Sequence, residues 1–153
     1  MPSFVKTPAM LLRRAYLTMH RRFNAHFRQF GATADQFVIL TLLAVQKDLT
    51  QQEVVVLTSS DPNTISSILR RLEKKHLLTR RCDIRDKRAL CLCLTSKGRA
   101  LQRELAQSSA ALHRFFGRTI SGKHRSKVLD TWRRISEATK SVKSLEIACS
   151  QEK

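Results

Sequence analysis

From Asp83 to Arg88 the chain reads DIRDKR, and after Ala89 it alternates as Leu90-Cys91-Leu92-Cys93-Leu94. Alternation of that kind is the pattern of a half-buried strand, so the charged run falls at the tip of a hairpin. Cationic side chains held out on such a tip suit phosphate and the narrow minor groove, where negative potential attracts guanidinium. Arg85, Lys87 and Arg88 are the groups placed to reach it. A second set lies upstream: Asn63, Thr64, Ser66, Ser67, Arg70 and Lys74. Asparagine can bond adenine bidentately, arginine can do the same to guanine, and serine reaches bases or phosphates, provided that a helix carries them into a major groove.

The elements around these residues support that placement. In SSDPNTISSILRRLEKKHLL, Asp61 is a helix N-cap, Pro62 takes the first helical position, and Ile65, Ile68, Leu69 and Leu72 form one apolar stripe. At about 100° per residue the polar set points away from that stripe. Thr50-Gln-Gln-Glu53 fits a capping box that opens a short helix over Gln51–Thr58, and Thr33-Ala-Asp-Gln36 opens another with Phe37, Leu40, Leu43 and Ala44. A long amphipathic helix begins at Thr7-Pro8 and runs through Leu12, Tyr16, Met19, Phe23, Phe27 and Phe30 to Gly31. After the hairpin, one helix from about Thr95 or Ser96 to Phe116 and another from about Ser121 follow, with Gly117 and Gly122 bracketing the joint. Short helix, turn, helix with an exposed polar face, then a two-stranded hairpin is the order of a winged helix-turn-helix. The fold class is mainly α with a small β-hairpin wing, plus a helical dimerisation region. Leu90, Leu92 and Leu94 are expected to anchor the hairpin on the helices.

Charge narrows the partner. The 153 residues carry 29 Lys and Arg against 12 Asp and Glu, a net +17 with a pI near 10.9. Such an excess calls for a polyanion. From Arg70 to Arg103 there are twelve basic and three acidic residues, a net +9 centred on the hairpin. An amphipathic helix with a charged outer face is by itself often only a solvated face. The charged hairpin beside it favours nucleic acid. The longest apolar run, FVILTLLAV, is far short of the roughly 20 residues of a membrane span, and arginines interrupt the N-terminus from residue 13, so no membrane partner and a cytoplasmic location are expected.

FGATADQFVILTLL, LTQQEVVVLTSSDPNTISSILRRLEKKHLLTRR and DIRDKRALCLCLTSKGRAL, in this order and spacing, resemble the MarR family of bacterial transcription regulators over nearly the whole chain. The resemblance implies one domain over 1–153: dimerisation helices at about 7–31 and 96–148, and a winged helix-turn-helix lobe at about 33–95. It implies a homodimer that binds a palindromic operator in double-stranded DNA as a ligand-responsive repressor. Asp86 would brace the wing, and Arg88 would be its minor-groove arginine. Two residues depart from the family pattern. His76 stands where the family has glycine after EKK, and no cysteine lies near the start of the first helix, where peroxide-sensing members carry theirs. The alternative function is a basic winged-helix module for nonspecific chromosome binding or protein interaction.

Many family members answer to small aromatic acids, and here Arg14, Tyr16 and His20 lie on or beside the inner face of the first helix, where a guanidinium and an imidazole can grip a carboxylate. An ordinary surface arginine and a packed histidine are the preferred reading of the same residues. Cys82, Cys91, Cys93 and Cys149 are the only thiols. Cys91 and Cys93 share a strand face, yet with His76 they match no zinc-ligand spacing, so neither metal nor cofactor is expected, and oxidation disturbing the wing is the residual role. No H-E-x-x-H, G-x-S-x-G, Walker or Gly-rich fingerprint occurs, so an enzyme is not expected.

Overall fold

The computed structural model describes residues 7–82, 90–120 and 122–140, with side-chain burial to residue 137. The chain divides into two compact units, Met1–Ala110 and Ala111–Lys153. The first opens with α1 (Pro8–Phe27), extended by a 3-10 turn at Arg28–Phe30 and closed by Gly31 at φ 64°. There the Ala32 N–H reaches the Phe27 carbonyl and the Gly31 N–H the Arg28 carbonyl, which satisfies two orphan acceptors of the helix end. Then come α2 (Ala34–Val45), β1 (Leu49–Thr50), α3 (Gln51–Thr58), α4 (Pro62–Lys74), β2 (Leu78–Cys82), β3 (Leu90–Leu94) and α5 (Ser96–Thr119). α5 carries the boundary between the units, and α6 (Arg125–Lys140) lies in the second.

Both capping boxes form. Thr33 Oγ1 accepts from the Gln36 N–H and Gln36 Oε1 from the Thr33 N–H, both at 3.2 Å. Glu53 Oε2 accepts the Thr50 N–H at 2.7 Å, while Thr50 Oγ1 accepts the Glu53 N–H. Phe27, Ile39, Leu40, Val54, Ile65, Leu69, Leu72, Leu92 and Leu105 are the fully buried centre of the first unit, so every helix from α1 to α5 contributes to one core. Among the described residues no helix is long and apolar enough to cross a membrane.

Several boundaries and faces differ from the sequence expectations. The sheet has three strands in the order β1-β3-β2, all antiparallel, because Leu49 and Thr50 pair with Leu92 and Cys91. A two-residue strand carries no alternation to read. Leu90 is 48% exposed whereas Cys91 is 2% exposed, so the apolar anchor is Cys91, Leu92 and Leu94, without Leu90. The register explains it: Leu90 pairs with exposed Cys82 at the open end of the sheet, beyond the reach of β1. α5 runs through Gly117 to Thr119, and α6 starts at Arg125, later than the Ser121 expected. A lone glycine inside a helix costs about 1 kcal/mol against alanine, which the turns on either side of it can absorb.

Candidate nucleic-acid interface and ligand cleft

Asp61 sets the start of α4. Its Oδ1 accepts the N–H groups of Asn63 at 2.9 Å and Thr64 at 3.0 Å, which starts α4 immediately after a tight turn. That turn depends on Ser59 at φ 51°, with the Ser60 N–H on the Val55 carbonyl and the Ser59 N–H on the Val56 carbonyl. Ile65, Leu69 and Leu72 are buried, while Asn63, Thr64, Ser67, Arg70, Arg71 and Lys74 are exposed. Ser66 and Ile68 are half-buried, so the stripe is narrower than the sequence suggests and Ile68 is turned to a neighbouring cleft.

The C-terminus of α4 is closed by His76 at φ 57°, at the position where the resembled family has glycine. The Leu77 N–H meets the Leu72 carbonyl at 2.9 Å and the His76 N–H the Glu73 carbonyl at 2.8 Å, the Schellman arrangement, with Leu77 and Leu72 both buried. α5 locks onto the same corner. Thr95 Oγ1 donates to the His76 carbonyl at 2.8 Å and accepts the Gly98 N–H at 3.0 Å. At Gly98 an added Cβ would lie 1.9 Å from the Leu77 carbonyl oxygen, so only glycine allows this approach.

Among the described basic residues of this stretch, Arg80, Lys75 and Lys97 have hydrogen-bond partners within the protein. Arg80 Nε donates to Glu73 Oε1 at 2.7 Å, and both of its terminal nitrogens reach Gln51 Oε1 at 3.3 Å, so one guanidinium ties β2 to α4 and α3. Lys97 Nζ donates to the Lys75 carbonyl at 3.2 Å, and Lys75 Nζ donates to the Gly31 carbonyl. Counting charge from sequence cannot separate such groups from those open to a ligand. Arg70, Lys74 and Arg81 are exposed. Arg85, Asp86, Lys87 and Arg88 lie outside the described residues.

A cleft of about 860 Å³ opens between α1, α2 and the helix-turn-helix, within the size range of small-molecule sites. Tyr16 and His20 line it, and their rings stand 5.5 Å apart. Arg14 is exposed and is not among the lining residues. His20 is held at both nitrogens: Nε2 lies 2.9 Å from Asp35 Oδ1, and Nδ1 lies 3.1 Å from Asn24 Nδ2. Asn24 Oδ1 in turn accepts the Ala34 N–H at 2.7 Å. With the Asn24 amide as donor to Nδ1, the imidazole proton sits on Nε2 and points at Asp35. Burial, and then the Asp35 charge, raise the Tyr16 phenol above its ordinary value. Asp35 and Asn24 are therefore site residues that sequence reasoning missed. Asp35 is hidden inside a capping box, and Asn24 inside an amphipathic helix. On the α4 side Asp61, Thr64 and Ile68 border the same cleft.

Among the described residues no group of three or more His, Cys, Asp or Glu side chains is placed to hold a metal. Cys82 is exposed, Cys93 half-buried and Cys91 buried, and none of the three is in a disulfide.

Residues 32–90 match the model of the MarR family. The chain is 30% identical over 86 residues to the HTH-type transcriptional regulator MgrA of Staphylococcus aureus, 56% of this chain and 58% of that protein. It spans about 60% of the length of the curated relatives it matches. Among solved structures, Bordetella bronchiseptica BpsR, described in connection with regulation of its DNA binding by 6-hydroxynicotinic acid, superposes with TM-score 0.78 at 28% identity, covering 89% of this chain and 97% of that one. The S. aureus MepR–DNA complex superposes with TM-score 0.79 at 22% identity, over 87% and 96% of the two chains, a likeness of fold.

Proposed function

We propose that the chain is a member of the MarR family, whose model its residues 32–90 match, and that it is a sequence-specific double-stranded DNA-binding transcriptional regulator, a ligand-responsive repressor that sits as a homodimer on a palindromic operator. The observation that carries this reading is α4, capped by Asp61, seated on its buried stripe and presenting Asn63, Thr64, Ser67, Arg70 and Lys74 to solvent. A capped, rigid helix with two short hydrogen-bonding side chains near its start and cations near its end has the layout of a major-groove reader. Asn63 and Ser67, with half-buried Ser66, contact bases, while Arg70 and Lys74 contact bases or phosphates. The wing residues Arg85, Lys87 and Arg88 take the adjoining minor groove, with Asp86 bracing them. The basis for the wing is the sequence and the family likeness.

Exposed apolar side chains support the homodimer. On α1, Leu11, Leu12 and Tyr16 are 41–53% exposed, and in the second unit Phe115, Leu129, Trp132 and Ile135 are 42–66% exposed. Stripes of this kind are what a second copy covers. The dimerisation segments are about 7–31 and 96–148, and about 33–95 is the reading lobe. A small aromatic effector occupies the cleft at Tyr16 and His20, next to Thr64 at the start of the reading helix. The protein works in the cytoplasm and is not an enzyme.

The test compares Asn63→Ala, Ser67→Ala and Arg88→Ala on an operator and on scrambled DNA. The α4 variants should relax discrimination at particular bases by about 1 to 3 kcal/mol each. Arg88→Ala should weaken all sites and lessen the preference for A·T-rich flanks. If the α4 variants leave the specific-to-scrambled ratio unchanged while Arg88→Ala abolishes binding, α4 is no reader and a nonspecific coating protein takes its place.

A further inference from the structure

The cleft has a charge sign that the rest of the chain does not share. Although the protein carries a net +17, the described residues that line the cleft include Asp35, Asp61 and the imidazole of His20, and neither lysine nor arginine. Asp61 is committed to the start of α4 through Asn63 and Thr64. Asp35 shares Oδ1 with His20, yet its side chain is 48% exposed. Its field reaches the Tyr16 phenol, where it adds to burial in holding the proton on.

A carboxylate entering this space would bring a second negative charge beside Asp35 with neither lysine nor arginine among the described lining residues to balance it, and in a partly desolvated site that is unfavourable. An ammonium would instead form a charge-assisted hydrogen bond with the Asp35 carboxylate and lie near the negative face of the Tyr16 ring. The apolar side chains of Val38, Leu42, Ile65 and Ile68 offer the surface for an attached ring. We propose that the cleft takes a small monocationic aromatic amine rather than an aromatic acid, with Asp35 binding its charge. The assignment rests on the effector reading above and differs from the carboxylate grip that Arg14 and His20 offered as the less favoured reading of the sequence.

The test uses a matched pair of probes, 1-naphthylmethylammonium and 1-naphthoate, titrated calorimetrically into the full chain without DNA. At about 0.15 M salt the wider positive surface is screened beyond about 8 Å. The amine should bind roughly tenfold or more tightly than the acid, as one charge-assisted contact provides. Asp35→Asn should erase that preference. Val38→Arg, at a position 50% exposed and so tolerant of a long side chain, should reverse it even if Asp35→Asn impairs folding. Ile68→Trp should weaken both probes by filling the cleft. Tighter binding of the naphthoate, or an amine preference untouched by both charge changes, overturns the assignment. A separate arm follows fluorescent DNA by anisotropy. Amine binding that leaves the DNA complex intact would sustain the ligand class and overturn the effector reading.

Discussion

On the proposed DNA-binding reading, removing Arg80 separates a basic residue that positions α4 and the hairpin from one that touches phosphate. In Arg80→Gln the guanidinium loses a 2.7 Å bond to Glu73 and two 3.3 Å contacts to Gln51, and Glu73 is left without that cation on the last turn of α4. The negative end of the helix dipole makes an unpaired carboxylate there unfavourable. Both side chains are about one-third exposed, between the surface pairs that contribute at most about 1 kcal/mol and charged hydrogen bonds that contribute about 1.5 to 3 kcal/mol, so the loss of stability should be about 1 to 2 kcal/mol. Denaturant titration reads it. DNA binding supplies the decisive measurement. Each protomer of a dimer that gives up one phosphate contact lowers the salt dependence by about one power of the salt concentration. Lys74→Gln should therefore flatten the plot of log K against log salt. Arg80→Gln should leave its gradient unchanged and displace the line downward by up to about tenfold, since a loosened β2 misaligns the wing root with α4. A gradient that falls as far for Arg80→Gln as for Lys74→Gln would refute the reasoning, because the guanidinium would then be neutralising phosphate and not Glu73.

Gly98→Ala forces a methyl to within 1.9 Å of the Leu77 carbonyl and should cost about 3 kcal/mol by displacing α5 from the α4–β2 corner, measured as a fall in denaturation midpoint. His76→Gly should stabilise the chain by about 0.5 to 1 kcal/mol, because relief of the left-handed backbone exceeds the extra chain entropy of glycine. Thermal unfolding checks it, and a lowered midpoint would mean that the imidazole contributes more than its backbone strain costs. Tyr16 is the only tyrosine, so absorbance near 295 nm titrates it alone, and its midpoint should lie above 10. Asp35→Asn should lower that midpoint while leaving it raised, since burial is the larger cause. A phenol whose folded pKa is raised favours the native state below its unfolded value, and this contribution to stability fades as pH climbs through the folded pKa.

Local chemistry alone was enough to locate α4. Asp61-Pro62, the spacing of Ile65, Leu69 and Leu72, and two T-x-x-Q/E capping boxes act within one or two turns of chain, so they are legible without knowing what packs where. The left-handed backbone at His76 could be anticipated only through the family likeness, which has glycine at that position. The leucine face of β3 was legible in direction, since Leu92 and Leu94 are buried as the alternation implies, but its extent was not: Leu90 lies past the end of β1, a two-residue strand brought in from before α3, and Cys91 on the other face is buried. Charge was legible in amount and not in use. Arg80, Lys75 and Lys97 count equally with Arg70 and Lys74 in the sequence, and only tertiary contacts turn the first three toward Glu73, Gly31 and Lys75. The cleft shows the same limit. Tyr16 and His20 could be named from their places on a helix, whereas Asp35 and Asn24 join them, and Arg14 does not, because the crossing of α1 over α2 decides which side chains meet. Periodicity fixes a side chain's angle about its own helix axis, and only packing between helices fixes what stands opposite it.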